Sequence, residues 1–450
     1  MDYSENFGKM EKGFDLDQAA AEAGRCLLCH EPPCSKGCPA QTDPGAFVRK
    51  LRLRNLTGAV RTIKENNILG GACAVLCPTA RLCEKECSAC GIDRPIRIGK
   101  IQRFLVEHSW RTGFRVFEGN AAGKAAAGKG KIAVVGAGPA GLSCAAELAK
   151  QGRAVTVFEA RPEPGGVLRY GVPAFRCGPD FLKKELADMR ALGVEFKCAT
   201  PMTGKGAAEK LLQDGYRAVF LAIGLWNPVR LKERQKSIKG LFTSLDFLAA
   251  LRRGEFKAVG GFFEGQACAV MGGGSVAMDC ARSALRLGAR DVYLLYRRSW
   301  SQMPAEEDER LAALREGAHF VLLNQPVGYL ADKKGGLKGI KLVRTRLGGK
   351  DSSGRRKPVE IKGTDWVIEV QAAIEALGYK PDEDAPSWYP AVASDKNRLI
   401  LAEEKDCRTS RPGIFAGGDI IRGPDLVVRA VRDGKTAARS ILEYLGQEKP

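Results

Sequence analysis

The spacing of hydrophobic positions changes once along this chain. In DPGAFVRKLRLRNLTGAVRTIKENN, Phe47, Leu51, Leu56, Val60 and Ile63 recur every three to five residues among polar neighbours, which puts one apolar stripe on helices. Residues 1–118 as a whole read as a small helical domain. The stretch EGNAAGKAAAGKGK offers no large apolar residue before Ile132 and reads as a flexible linker over 119–130. Beyond it, short apolar runs alternate with helical patterns. KIAVVGAGPAGLSCAAELAKQG reads as strand, glycine turn and helix, and RAVTVFEA as the next strand. QACAVMGGGSVAMDCARSALRLGA and RDVYLLYRRS repeat that order, with Gly272 standing 136 positions after Gly136. The expected class is α/β, with the helical domain followed by two duplicated, Rossmann-like doubly wound domains.

Composition narrows the class of protein. At 450 residues, 44% hydrophobic and 27% charged, the chain has room for two to four ordinary globular domains. No apolar run approaches a membrane span, and MDYSENFGKMEKGFDLDQ has no signal-peptide core, so the expected compartment is the cytoplasm. The net charge of +19 comes with only 7% aromatic residues and with basic residues scattered along the chain. That pattern argues against nucleic acid and for a solvated basic surface, an acidic redox partner or nucleotide phosphates. With three histidines, His30, His108 and His319, acid–base catalysis by imidazole is poorly supplied.

Nine of the fifteen cysteines lie between Cys26 and Cys90, in two groups. Cys26, Cys29, Cys34 and Cys38 are closed by Pro39. In the second group, Cys73, Cys77, Cys83, Cys87 and Cys90, Pro78 follows Cys77. Short spacings with Cys-Pro present several thiolates to one iron–sulfur cluster, so two groups suggest two clusters. A disulfide framework, a pair of zinc sites at Cys26/Cys29 and Cys87/Cys90, and a redox dithiol at Cys26/Cys29 are the competing readings.

Gly136, Gly138 and Gly141 form G-x-G-x-x-G between strand and helix, with Pro139 and Ala140 in the turn. Glu159 ends the next strand, where an acid accepts hydrogen bonds from ribose hydroxyls. The expected ligand is FAD. Gly165, Gly166 and Arg176 in RPEPGGVLRYGVPAFR, Gly224 in LAIGLW, and Gly418, Asp419 and Val427 in IFAGGDIIRGPDLVVRAV complete the expected flavin set. The flavin domain is then discontinuous, 131–265 and 374–450, around a nicotinamide domain at 266–373. There Gly272, Gly274, Ser275, Val276 and Ala277 form the second fingerprint, and Arg297 and Arg298 replace the acid. Arginine suits a 2′-phosphate, which favours NADPH while leaving NADH open. The remaining cysteines are isolated and form no redox pair.

The stretch RCLLCHEPPCSKGCPAQTDPGAFVRKLRLRNLTGAVRTIKENN, then LCPTARLCEKEC and PIRIGKIQRF, resembles the cluster domain of dihydropyrimidine dehydrogenases, above all the flavoprotein subunit of the bacterial two-subunit enzyme. YRRSWSQMPAEEDE, GIKLVRTRL and IFAGGDIIRGPDLVVRAV are as similar to the small subunit of NADPH-dependent glutamate synthase. The resemblance implies one 4Fe-4S cluster on Cys26, Cys29, Cys34 and Cys87 and another on Cys38, Cys77, Cys83 and Gln102, with Cys73 and Cys90 spare. It implies electron flow from NAD(P)H through FAD and the clusters to a catalytic partner subunit. That partner would carry FMN, further clusters and the site that reduces uracil or thymine, or else a glutamate-forming site. A hetero-oligomer is expected. Gln102 points to the dehydrogenase type, which is NAD-dependent in bacteria, whereas Arg297 and Arg298 point to NADPH. Glu375, in the otherwise apolar AAIEALGYKPD, departs from the pattern of a buried strand.

Overall fold

A computed structural model describes residues 3–8, 10–117, 130–231, 238–351 and 354–447. Apart from Gly130, the linker expected at 119–130 lies outside the described residues. The chain divides into two compact units. The larger takes in Glu11–Leu168, Arg176–Asn227 and Lys380–Pro450, and the smaller takes in Met1–Met10, Arg169–Phe175 and Pro228–Tyr379.

The larger unit begins with helices whose starts are written locally. Asp15 caps Leu16–Gly24 through a reciprocal pair with Gln18, Asp43 caps Pro44–Arg52 at the N–H of Ala46, and Asn55 caps Leu56–Asn66 at the N–H of Gly58. Of the expected stripe, Phe47, Leu51, Val60 and Ile63 are buried, and Leu56 packs at the edge. They meet Ile98, Ile101 and Phe104 of Ile98–Thr112. Each such side chain contributes about 1.5–3 kcal/mol by leaving water.

The same unit holds a five-stranded parallel sheet in the order Ile414–Ala416, Tyr216–Leu221, Lys131–Val135, Ala154–Phe158, Glu195–Lys197. Lys131–Val135 reads almost wholly apolar because helices cover a parallel sheet on both faces. Strand order reverses beside it, which opens a crevice at its carboxyl end. The long helix Val427–Gln447 lies along Pro139–Lys150. Gly434 permits this approach, since a Cβ there would stand 2.2 Å from the Ala140 carbonyl oxygen.

The smaller unit repeats the scheme in the order Leu241–Thr243, Ala372–Glu375, Ala267–Met271, Asp291–Tyr296, Ala318–Leu322, all parallel. An antiparallel sheet of Asn324–Ala331, Leu337–Lys350, Arg356–Glu360 and Trp366–Glu369 is inserted in the chain between Ala318–Leu322 and Ala372–Glu375. Because Leu241–Thr243 and Ala372–Glu375 belong to the parallel sheet, the unit extends beyond 266–373 at both ends. No helix among the described residues is long and apolar enough to cross a membrane.

Candidate cofactor sites

The two cysteine groups do not make one site each. Cys26, Cys29 and Cys34 share a cavity of about 440 Å³ with Cys87 of the second group. The loop carrying the first two is held by arginines of Pro44–Arg52: Arg52 donates to the Cys26 carbonyl at 2.6 Å and Arg49 to the Cys29 carbonyl at 3.1 Å. The N–H of Ile96 points at the Cys87 Sγ, 3.5 Å away. Burial pushes the Cys34 thiol up to about 11, and the neighbouring Cys87 and Cys26 add to the rise. Iron would reverse that effect, because a coordinated thiol is deprotonated outright.

A second cavity, of about 360 Å³, is lined by Cys38, Cys77, Cys83 and Gln102, and also by Cys73. Cys73 lies in Gly70–Leu76 and Cys77 is the extended residue just past its end, its N–H bonded to the Cys73 carbonyl, with Pro78 directly after it. The amide N–H of Thr42 meets the Cys38 Sγ at 3.4 Å. Gln102 is buried and donates its Nε2 to the Gly70 carbonyl at 2.6 Å, which fixes its amide and leaves Oε1 for another partner. The Cys73 contact and burial hold the Cys77 thiol well above its ordinary range, and burial and Cys38 do the same for Cys83. The resemblance leaves Cys73 spare as a ligand; the structure nevertheless places it on the wall of this cavity. Cys90 is exposed and lines neither cavity.

All fifteen cysteines are free thiols. Among the described residues no three His, Cys, Asp or Glu side chains gather as a single-ion site. The thiols instead ring two cavities. Soft donors spread around a volume fit the corners of an iron–sulfur cluster.

In the larger unit the first fingerprint forms the turn it predicts. Gly136 has φ +102°, and a Cβ on it would lie 2.4 Å from the Ala222 carbonyl oxygen. At Gly141 a Cβ would lie 1.9 Å from the Gly136 carbonyl oxygen. Gly138 differs from both. A Cβ there meets nothing within 4 Å, so no protein neighbour requires a glycine; the open space at the start of Pro139–Lys150 fits the close approach of a pyrophosphate. Glu159, 7% exposed, accepts from Ala137 N–H and from Arg161 N–H. Gly165 donates to the Ala137 carbonyl, and a Cβ on Gly166 would press on Gly138. Gly224 and the half-buried Arg176 belong to the same unit.

The loop Gly417–Asp419 is braced by Asp433, which sequence reasoning missed. Its Oδ2 accepts from Gly418 N–H at 2.9 Å, and Arg422 grips both of its oxygens. Burial pushes the Asp419 carboxyl up to about 7. Val427 opens the long helix, and the next residue, Val428, lines the second thiol cavity. Farther along that helix, Lys435 donates to the carbonyls of Ala40 at 2.6 Å and Asn66 at 2.7 Å.

The smaller unit repeats the cradle. Gly272 has φ +145° and faces the Ala376 carbonyl, as Gly136 faces Ala222. Gly274 opens the helix Ser275–Arg286 with only Pro304 near its Cβ position, Val276 lies in the first turn, and Ala277 is fully buried. The two arginines separate. Arg297 is exposed, whereas Arg298 is 5% exposed and bonded to the Arg356 carbonyl and to Asp351, each at 2.7 Å. Arg298 is thus engaged by protein partners, whereas Arg297 lies on the surface. Glu375 is buried but satisfied, accepting from Tyr329 Oη at 2.8 Å and Leu231 N–H at 3.1 Å.

Residues 3–114 match the family model for dihydropyrimidine dehydrogenase domain II, 4Fe-4S cluster, and residues 130–434 match that for pyridine nucleotide-disulphide oxidoreductase. The chain is 34% identical to the glutamate synthase (NADPH) small chain of Escherichia coli K12, covering 98% of this chain and 94% of that one. It is also 34% identical to the NAD-dependent dihydropyrimidine dehydrogenase subunit PreT of Salmonella typhimurium, covering 97% of each. The similarity to the NADP(+)-dependent formate dehydrogenase subunit beta of Moorella thermoacetica is 37% over 98% of this chain and 64% of that one. Among solved structures, Mycobacterium tuberculosis FprA in complex with NADPH superposes with TM-score 0.59 at 20% identity over 70% of this chain and 85% of that one, a likeness of fold. The chain thus belongs to the pyridine nucleotide-disulphide oxidoreductase family, in its branch with a dihydropyrimidine dehydrogenase-type cluster domain, and is an NAD(P)H-dependent iron–sulfur flavoprotein oxidoreductase.

Proposed function

We propose that the chain is an electron-input subunit that oxidises NADPH and delivers electrons through two 4Fe-4S clusters to a partner subunit reducing uracil or thymine to the 5,6-dihydropyrimidine. The observation that carries this reading is the pair of thiol-lined cavities, each drawing on both cysteine groups. FAD, when bound, supplies the step from two-electron hydride chemistry to one-electron transfer. Gly138, Glu159 and the braced Gly417–Asp419 loop hold and orient it. Cys26, Cys29, Cys34 and Cys87 hold one cluster. Cys38, Cys77, Cys83 and the Oε1 of Gln102 hold the other, with the Gln102 amide nitrogen pinned on Gly70.

Position supports an order of transfer. Val428, in the first turn of the helix that opens beside the flavin loop, lines the Gln102 cavity, so that cavity is the inner station. The other cavity is bordered by Leu27 and Leu28, 47% and 40% exposed, and is the outer station facing the partner. The partner would bear FMN, further clusters and the pyrimidine site. Gln102 favours this dehydrogenase partner. A glutamate-forming large subunit is the second reading, favoured by the exposed Arg297, which suits the 2′-phosphate of NADPH.

Purification with the co-expressed neighbour decides the matter. NADPH-driven reduction of uracil or thymine supports the first reading, and glutamine-dependent glutamate formation supports the second. A chain without flavin and iron–sulfur absorbance, or one that NADPH does not bleach, sinks both.

A further inference from the structure

One buried group of charges serves neither cradle. Glu185 of Pro179–Ala191 and Lys64 of Leu56–Asn66 are 0% and 2% exposed. Lys64 Nζ lies 3.8 Å from Glu185 Oε1 and 3.0 Å from Asp188 Oδ2. Glu185 Oε1 also accepts from the N–H groups of Gly71 at 2.6 Å and Ala72 at 3.3 Å, in the first turn of Gly70–Leu76, the helix just before Cys77. Lys64 and Lys184 bring their ammonium groups within 5.3 Å and 5.1 Å of the Trp110 ring centre.

Among the described residues, nine buried side-chain polar atoms have no hydrogen-bond partner, and three of them meet here: Lys64 Nζ, Trp110 Nε1 and Glu185 Oε2. Two donors and one acceptor in one buried place suit a bridging water. As a purely structural device the arrangement is poor, because apolar side chains would fill the space without desolvating two charges. The helix it caps spans about 10 Å; Cys73 on that helix lines the second cavity and Gln102 holds its Gly70 carbonyl, so the carboxylate stands within that distance of the cavity.

We propose that Glu185, paired with Lys64, is a positioning and charge-compensating residue for the cluster of the second cavity: as that cluster gains one electron, the Glu185 carboxylate gains one proton from solvent, and both leave on reoxidation. One negative charge arrives and one is neutralised, so the buried region keeps its net charge. Burial places the Glu185 carboxyl at about 7, against the opposing pull of Lys64 and the two N–H groups. Lys64 and Asp188 are the charged groups that act on this carboxyl, the first lowering and the second raising it; Lys184 lies over the same Trp110 ring, Cys73 is the thiol on the helix Glu185 caps, and Ile98–Thr112, the helix of Trp110, carries Arg103, Glu107 and His108.

The inference rests on the two-cluster reading, and the test separates them. Iron content and EPR first establish two clusters in the purified holoprotein, the inner one being that perturbed by Gln102→Ala. Its midpoint potential is then titrated from mildly acidic to mildly alkaline pH. The expected result is a midpoint that falls as pH rises in the native protein and a flat profile in Glu185→Gln, which retains an acceptor for Gly71. A flat native profile, or an unchanged slope in Glu185→Gln, overturns the inference with the two-cluster reading intact. A chain carrying one cluster overturns both. If Glu185→Gln does not fold, the native profile decides alone.

Discussion

Both carboxylate oxygens of Glu159 are bonded to backbone, Oε2 to the Ala137 N–H and Oε1 to the Arg161 N–H, each at 2.9 Å. The end of the second strand is thereby tied to the glycine loop after the first. A glutamine at 159 must turn its NH₂ towards one of these N–H donors and leave that donor unsatisfied. Glu159→Gln should therefore lower stability by about 1–3 kcal/mol and purify with less flavin. A denaturant titration and the flavin-to-protein absorbance ratio check this, and full flavin content at native stability would refute it.

The two glycines that follow Gly136 in the fingerprint should fail in different ways. At Gly138 a methyl group enters open space, so Gly138→Ala should fold with native iron content and lose flavin by competing with the pyrophosphate. At Gly141 it meets the Gly136 carbonyl oxygen at 1.9 Å, so Gly141→Ala should express poorly or melt well below the native protein. Melting curves and flavin content distinguish the two outcomes.

Arg297 and Arg298 are neighbours in sequence with opposite surroundings, one exposed and one buried. Arg297→Ala should leave folding unchanged and raise the NADPH KM relative to that of NADH. Arg298→Ala removes a buried cation from Asp351 and should destabilise by about 3 kcal/mol with no change in coenzyme preference among the molecules that fold. Steady-state kinetics with both coenzymes, set beside melting curves, provide the check; a selectivity change in Arg298→Ala alone would reverse the assignment.

Cys73 and Gln102 line the same cavity but should not be equivalent. Cys73→Ala should keep the full iron content, whereas Gln102→Ala should lose iron from one cluster or change its EPR signal. Iron analysis and EPR on both variants test this. Loss of a cluster in Cys73→Ala with none in Gln102→Ala would make Cys73 the ligand.

Asp419 makes stability depend on pH. Its carboxyl is raised from an ordinary value near 4 to about 7, so the folded chain holds the proton more tightly than the unfolded one. The stabilisation is complete below about pH 4 and is lost as pH rises through about 7. In flavin-free protein, Asp419→Asn should flatten this part of the profile, as melting temperatures across that range would reveal.

Features set by local spacing were readable from sequence. The stripe Phe47, Leu51, Val60 and Ile63 follows helical period, the glycine turns declare themselves within six residues, and Glu159 follows at a fixed offset. Contacts between distant segments were not. Glu185 caps a helix 114 positions earlier, Lys435 bonds a carbonyl 395 positions away, and Asp433 braces a loop through a helix packed against it. Nothing local marks these residues, since each is an ordinary polar position on an amphipathic helix whose partner is chosen only by the tertiary fold.

The grip of Lys435 on Ala40 and Asn66 bears on how the chain can be divided. Cys38 lies two residues before Ala40, and Val428 of the same long helix walls the cavity that Cys38 enters. The wall of that cavity is thus shared between segments far apart in the chain, whereas the Cys26 cavity takes no residue from the long helix. A fragment cut off before Val427 would keep the lining of the Cys26 cavity and open the Cys38 cavity on one side.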